Sequence, residues 1–532
     1  MEHAERDEAF WAPGTIVLEN TNQSTNRLIL HPFPSEDPND PLNWSTFRKA
    51  LNFGLVCFFV LWTFVQLDIG STAWGPIQEE LGFSIDLLNS ASATNYAALA
   101  VGCMLFIPFV HKYGRRPVYL FSSALQFAAS VWSAETRTSG DLIGSNFISG
   151  LGGAISETIV QITIADMFFV HQHATLNACF VFFQSIGAFL GPVASGYVVD
   201  SQGWKWMWWW CVIFLGANLL FVTLFFEESK YVPVENGKSM PLAVEDRENQ
   251  DRGLKASADI KGGNEAVRSR SAGDVEFKQS SYRQRLALIT KTDEPLLRHF
   301  YQPIIVLFRF PAVGYTALTW GCTLSWFSIM TSVQATYLIE PPYNFDAVGV
   351  GLMNLPPFIG AFLGFFCGYL NDKSIIYMSN RNVGIYEPEM RLWMALPLAI
   401  ITPAGMLMFG IGLADGVPWI VLAVGFGIFG FGLTVTGEIA LSYLTDCYQD
   451  IVGDALVGVV FVRNIFSVIV LFALTPWIEA TGILNLHIQI SAICFAVLLL
   501  PLPLIVWGKK MRISTAEIYR KMTLRQSMHR MI

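Results

Sequence analysis

Three features of this sequence predict an all-α membrane protein with twelve transmembrane helices in two six-helix bundles. Of its 532 residues, 53% are hydrophobic and only 14% are charged, whereas about 25% of a soluble globular protein is charged. The apolar residues form runs long enough to cross a bilayer core of about 30 Å as helices. A polar stretch at residues 227–309 divides these runs into two sets of six.

The twelve predicted spans have the length of about 20 residues that a membrane-crossing helix needs. They follow the apolar runs at residues 51–75, 88–110, 117–135, 142–167, 174–199, 205–226, 312–338, 348–370, 392–413, 417–445, 453–477 and 484–507. They divide the chain into an N-terminal tail, a first bundle, a central loop, a second bundle and a C-terminal tail, at residues 1–47, 48–226, 227–309, 310–508 and 509–532.

The lysine and arginine residues predict how the spans are oriented. If the N-terminus is cytoplasmic, the outer loops contain only Arg137 and Lys205, and basic residues favour cytoplasmic loops. Both termini and the central loop are therefore expected in the cytoplasm. The central loop carries mixed charges and few aromatic residues before Tyr282. That composition predicts a largely disordered tether with a short helix around residues 282–289.

The sequence lacks the residue patterns that are typical of enzymes. Its eight cysteines are dispersed and show neither a disulfide framework nor the CxxC spacing of a metal site. It contains no catalytic triad, no metal-ligand cluster and no glycine-rich loop that could cradle a nucleotide. We therefore expect a protein that is not an enzyme, has no cofactor and no metal, and contacts a lipid bilayer rather than nucleic acid.

The two halves resemble each other weakly, and the resemblance falls on polar residues. In the fourth span Glu157 precedes Asp166 by nine residues, and in the tenth span Glu438 precedes Asp446 by eight. An amide side chain follows 18 residues after each aspartate, in the next span: Gln184 and Asn464. Parallel repeats with a binding site between them are typical of one large class of transporters.

Four charged residues lie away from the edges of the predicted spans, inside the hydrocarbon, where a charge costs at least about 2.5 kcal/mol and usually faces a cavity or the bundle interior: Asp68, Glu157, Glu438 and Arg463. Arg463 and Glu438 have similar estimated depths, so they could form an ion pair, and a role of Arg463 in gating or solute contact is equally open. Asp68 and Glu157 have no evident basic partner. These two and Glu438 are therefore our candidates for proton coupling, unless a shorter first span places Asp68 near the outer interface.

Other polar and aromatic residues within the spans are candidates for solute contact, although each could equally serve helix packing. They are Gln161, Gln184, Trp320, Trp326, Gln334, Arg463 and Asn464. The fifth span contains the run GAFLGPVASG, with Gly187, Gly191, Pro192 and Gly196. Proline removes a helix hydrogen bond and the small residues let helices approach closely, so this run is a candidate gate.

At these residues the sequence resembles the major facilitator superfamily, and within it the fungal twelve-span drug:proton antiporters. GAFLGPVASG is similar to the antiporter signature of the fifth span. The loop motif after the second span is similar to IPFVHKYGRRPVY, with Gly114, Arg115 and Arg116 in place. The second copy of this motif is similar to GYLNDKS, which contains Asp372. The branch that contains the fungal histidinol and polyamine transporter is the most similar.

The sequence also departs from this family pattern. Ile107 and His111 stand where the loop motif usually has a glycine and an acid, and Asn146 replaces an arginine expected in the fourth span. If that arginine assists proton transfer in relatives, coupling here must depend on Glu157 or Asp68.

The resemblance implies alternating access, in which two bundles rock about a central cavity. We expect a monomer in the plasma membrane that exports a small organic solute such as a drug or secondary metabolite in exchange for protons. Two alternatives stay open. One is proton-coupled uptake of a cationic nutrient such as a polyamine, and the other is a membrane sensor that binds a solute.

Overall fold

A computed structural model describes residues 12–17, 37–231, 281–290, 296–382 and 384–523. The first half contains eight helices: α1 Thr46–Asp68, α2 Trp74–Leu81, α3 Ile85–Tyr113, α4 Arg116–Ala134, α5 Ser139–Met167, α6 Val170–Ser185, α7 Gly191–Gln202 and α8 Trp204–Phe225. A 3₁₀ turn, Ile69–Ala73, joins α1 to α2, and a π-helical turn, Ile186–Leu190, joins α6 to α7. A further 3₁₀ turn, Pro41–Asn43, precedes α1.

The remaining helices belong to the central loop and the second half. They are α9 Tyr282–Arg285, α10 Leu296–Arg309, α11 Pro311–Tyr337, α12 Ala347–Leu352, α13 Leu355–Arg381, α14 Leu398–Asp415, α15 Trp419–Cys447, α16 Val452–Leu498 and α17 Pro501–Thr523. Two 3₁₀ segments, Pro388–Ala395 and Gln449–Ile451, precede α14 and α16. A small antiparallel sheet pairs β1, Ile16–Val17, with β2, Ile385–Tyr386.

Every predicted span falls on one or more of these helices. By length and composition, nine helical runs of the described chain could cross a membrane, or ten if the bent pair α10–α11 is one span. The count is below twelve for two reasons. The helix α4 contains four serines and Gln126, which make it less apolar. The last two predicted spans fall in one continuous run, within which Gly482 breaks α16 with a positive φ of 78°.

Some boundaries differ from those expected from the sequence. The helix α10 occupies the end of the predicted central loop, and α17 continues past residue 509 to Thr523. The helix α9 is shorter than the one predicted for residues 282–289 and is followed by turns. Residues 232–280 and 291–295 of the predicted loop, and residues 524–532 of the predicted tail, lie outside the described residues.

Each half has an apolar core, because its helices turn their larger side chains toward one another. In the first half Phe59, Leu99 and Ile159 belong to one buried cluster, which joins α1, α3 and α5. In the second half Phe409, Phe426 and nearby residues join α14, α15 and α11. These two cores hold the helices that line the space between the halves.

The halves contact each other along two pairs of helices. The helix α3 packs along α16, where the side-chain amide of Asn89 donates a hydrogen bond to the Thr475 hydroxyl at 3.3 Å. The helix α7 packs on α12, and the π-helical turn before α7 contacts α13. At this turn the Phe189 ring lies 5.5 Å from that of Phe327 on α11, measured between centroids.

Candidate functional site

A cavity of about 1680 Å³ lies between the two halves. It reaches the end of the molecule that carries Asp166 and Asp446, and residues of both halves line it there. Toward the opposite end, where α7 packs on α12, the lining side chains Trp74, Trp204 and Trp208 all come from the first half. The molecule therefore holds a solute-sized space whose walls belong to both repeats.

A buried ion pair crosses this cavity from one half to the other. The Arg463 guanidinium on α16 pairs with the Glu157 carboxylate on α5, and their side chains are only 3% and 6% exposed. The interpretation that Arg463 pairs with Glu438 is therefore wrong, and so is the expectation that Glu157 has no basic partner. Glu157 lies about 15 Å before the end of α5, and Arg463 about 16 Å after the start of α16, at about 1.5 Å per residue. They meet because both of these helix ends lie at the end of the molecule that carries Asp166 and Asp446.

Two neighbours hold this ion pair in place. The side-chain amide of Asn464 donates a hydrogen bond to the second oxygen of Glu157 at 3.1 Å. The Arg463 guanidinium lies over the Trp320 ring, 4.9 Å from its centroid, on α11. A cation over an indole face is attracted by the electron density of the ring. The pair is thus oriented from α5, α11 and α16 together.

Asp68 lines the same cavity from the first half. It is the last residue of α1, where the helix changes to the 3₁₀ turn. Among the described residues, the Asp68 carboxylate has no hydrogen-bond or ion-pair partner. Glu157 lines the same cavity, and the negative charges of the two acids repel each other.

Glu438 lines the cavity on the second half, at the position that corresponds to Glu157 in the repeat. It lies on α15 opposite Gly368 of α13, and a Cβ atom at Gly368 would overlap its carboxylate. The glycine therefore provides the room that this acid occupies.

The predicted solute contacts separate into three groups. Gln161, Gln184 and Trp320 line the cavity, as does Arg463. Asn464 is buried behind the ion pair that it helps to hold. Trp326 and Gln334 lie on other faces of α11 and are not among the described residues that line the cavity: Trp326 packs in the apolar core of the second half, and the Gln334 amide donates to the Val350 carbonyl at 3.0 Å.

The structure adds a polar contact that the sequence did not indicate. The Ser328 hydroxyl on α11 donates to the Tyr96 hydroxyl on α3 at 3.2 Å, and both residues line the cavity. Tyr96 is the one aromatic residue among small and polar neighbours in ASATNYAALA, and this pattern could have singled it out.

At the end that carries Asp166 and Asp446, each half places an arginine beside its aspartate. The Arg115 Nε lies 2.8 Å from the Asp166 carboxylate. In the second half Arg391, together with the Tyr386 hydroxyl, contacts Asp446. The sequence repeat indicated the two aspartates but not their partners, because Arg391 lies in the 3₁₀ segment before α14, whose sequence differs from that around Arg115.

The loop motif around Gly114 surrounds a half-buried acid, Glu228. Glu228 accepts hydrogen bonds from the backbone N–H groups of Arg115 and Arg116, at 2.9 and 3.1 Å. Burial raises the pKa of Glu228, and these hydrogen bonds oppose that rise. Gly114 has a φ of 106°, and a Cβ atom there would collide with the Glu228 carboxylate. The side chain of Asp372, in the second copy of the motif, lies outside the described residues.

The glycine-proline run forms two different contacts. Gly187 and Gly191 face α1, where a Cβ atom on Gly191 would lie 3.3 Å from the Val65 Cα. Gly196 faces α12 of the other half, and a Cβ atom there would lie 2.5 Å from the Ala347 carbonyl oxygen. Pro192 is the second residue of α7, directly after the π-helical turn, and Gly196 brings α7 against the second half.

Comparison with known proteins identifies the family. The model of the Major Facilitator Superfamily matches residues 51–470. An uncharacterized MFS-type transporter of Schizosaccharomyces pombe, C1271.10c, is 32% identical, and the match covers 95% of this chain and 94% of that protein. Protein HOL1 of Saccharomyces cerevisiae is 29% identical, over 97% and 98% of the two chains. The MFS transporter cpaT of Aspergillus oryzae is 26% identical, over 90% of each.

A solved structure supports the fold independently. The crystal structure of a D-xylose–proton symporter superposes with a TM-score of 0.53 at 14% sequence identity, covering 84% of this chain and 96% of that one. The predicted fold class is thereby confirmed, as is the expectation of an integral membrane transporter of small solutes rather than an enzyme. The chain, like these fungal relatives, belongs to the major facilitator superfamily.

Proposed function

We propose that this transporter exports a small organic solute in exchange for protons, by alternating access. The observation that carries the proposal is the buried Glu157–Arg463 ion pair, which joins the two halves inside the cavity beside Asp68. A link of this kind must be weakened before the halves can rock apart. Protonation of Glu157 removes its negative charge and so weakens the link.

The acids give the solute and the proton a common binding site. Asp68 and Glu157 line the same cavity, and either a proton or the cationic group of a solute relieves their repulsion. Binding of one therefore favours release of the other, which is the requirement for exchange. Trp320 and Tyr96 supply aromatic surface beside these charges, where the apolar part of a solute would pack.

We propose export as the direction of transport, using the orientation expected from the basic residues. The end that carries Asp166 and Asp446 is the cytoplasmic end if both termini are cytoplasmic. In the described conformation the solute would enter the cavity from that end, and protons would enter after the halves rock to open the other. We propose a monomer in the plasma membrane as the working unit.

The proposal is tested with the purified full chain in vesicles, using two organic cations, spermidine and ethidium, as probes. An imposed pH gradient should drive probe movement toward the acidic side, and probe movement should carry protons the opposite way. Movement of probe and protons in the same direction would contradict exchange. Movement that ignores the pH gradient would contradict proton coupling.

Proton-coupled uptake of a cationic nutrient is the second candidate. It is favoured by the excess of acids at this depth of the cavity, where Asp68, Glu157 and Glu438 accompany one arginine. The same vesicle measurement separates the two candidates, because uptake requires spermidine and protons to move together.

A further inference from the structure

The helix α10 has an apolar face that the described part of the protein leaves exposed. The side chains of Leu297 and Phe308 are 77% and 83% exposed, and Tyr301, Ile304 and Ile305 are exposed beside them. Their spacing places them on one side of a helix with 3.6 residues per turn. Such a large exposed apolar patch is unusual on a surface that meets only water.

The orientation of α10 places its exposed apolar face parallel to the bilayer surface. The helix makes an angle of 93° with α11, which begins at Pro311. The bend has a local cause, because the residue before a proline avoids helical conformation and Phe310 is extended, with ψ of 112°. Transmembrane helices tilt by only about 20° on average, so α10 runs nearly parallel to the membrane surface.

Contacts on its other face place α10 at the level where the spans end. The His299 ring stacks on that of His111, near the end of α3, with centroids 4.4 Å apart. The Gln302 amide donates to Asp454, near the start of α16, at 2.7 Å. Helix ends lie close to the boundary between hydrocarbon and headgroups. The exposed face of α10 therefore lies at that boundary.

We infer that α10 is an interfacial helix that inserts Leu297, Tyr301 and Phe308 among the phospholipid chains of this leaflet. Arg298 and Arg309 lie at one edge of the apolar face, about 60–100° further around a helix of 3.6 residues per turn. From there Arg309, which is exposed, reaches the phosphate groups, as basic residues of interfacial helices do. Arg298 donates to the Gln302 side chain at 2.8 Å. Because the buried face of α10 touches α3 in one half and α16 in the other, this lipid contact anchors the seam between the halves.

The test replaces Phe308 by the photoreactive residue p-benzoylphenylalanine in the full chain, reconstituted in vesicles of phosphatidylcholine and phosphatidylserine. Phe310, two residues away and 0% exposed, receives the same substitution as the matched control. Irradiation should give phospholipid adducts, detected by mass spectrometry, with a several-fold excess at position 308 over position 310.

Two outcomes would overturn the inference. Crosslinks from position 308 to peptides of this chain, or to a second copy of it, would show that protein covers the face. A yield of phospholipid adducts at position 308 no higher than at position 310 would show that the face lies outside the lipid. If the Phe308 variant does not fold, the same substitution at Tyr301, on the same face, gives the same readout.

Discussion

At the scale of single residues, the central feature is a charge pair shared by the two halves. Removing one member of a buried pair leaves the other charge unpaired, at a cost of about 3–5 kcal/mol. We therefore expect Glu157→Gln and Arg463→Gln each to lower the thermal stability and yield of the protein, and the double variant to recover much of both. The measurement is the unfolding temperature of the purified chain in one detergent.

A matched double variant tests whether the partner is correctly identified. Glu438→Gln combined with Arg463→Gln should recover nothing beyond the Arg463 single variant, because Glu438 is not the partner of Arg463. Equal recovery in the two double variants would contradict the pairing of Arg463 with Glu157.

Asp68 provides a more direct test of proton coupling, because its carboxylate lacks a hydrogen-bond or ion-pair partner among the described residues. Asp68→Asn should leave the unfolding temperature nearly unchanged and abolish solute movement driven by a pH gradient. Asp86→Asn, near the start of α3, is the control for loss of an acid elsewhere. A variant at Asp68 that still follows the pH gradient would remove this residue from the coupling site.

The sequence predicts the depth of these charges but not their partners. The depth of a charge in the membrane follows from counting residues along its span. The Glu157–Arg463 pair, in contrast, joins residues 306 positions apart in the chain and depends on how their helices pack. The same limit explains why Trp326 and Gln334 were predicted to contact the solute although neither lines the cavity. Small and apolar residues occur on every side of α11. The residue pattern of this helix therefore does not distinguish the face toward the cavity from the face toward the core.

At the scale of elements, residues 281–290 form a strap across the first half. Arg116 donates to the Leu286 carbonyl, and the Thr290 N–H donates to the Tyr113 carbonyl at 2.9 Å. A helix as short as α9 is not stable alone, so these contacts hold the strap. Hydropathy indicates where the long apolar helices lie, because burial in lipid requires apolar side chains. It contains no information on a polar segment held by backbone hydrogen bonds.

Arg116→Met should release this strap while keeping an apolar stem of similar length. Amide hydrogen exchange in residues 281–290 is expected to accelerate, since their protection comes from the contacts with the loop after α3. Exchange in α11 should not change, and Arg137→Met in an exposed loop is the control. Unchanged exchange in the strap would mean that other contacts hold it.

At the scale of the whole molecule, the contact between α7 and α12 closes one end of the cavity through backbone atoms. A Cβ atom on Gly196 would lie 2.5 Å from the Ala347 carbonyl oxygen, and one on Gly351 would lie 2.7 Å from that of Pro192. Because α7 belongs to the first half and α12 to the second, this contact must open when the bundles rock. The glycine spacing in the sequence predicts close packing, but only the fold shows which helix each glycine meets.

Gly196→Leu should wedge this end apart, because a leucine side chain cannot fit between two touching backbones. We expect slower exchange and a larger solute leak, so that the ratio of solute flux to proton flux in vesicles changes. Gly191→Leu is the matched control, since Gly191 packs on α1 within the first half and leucine there should lower stability without changing the ratio. A reduced rate with an unchanged flux ratio in Gly196→Leu would mean that the α7–α12 contact is scaffold, and that the halves close this end elsewhere, along α3 and α16.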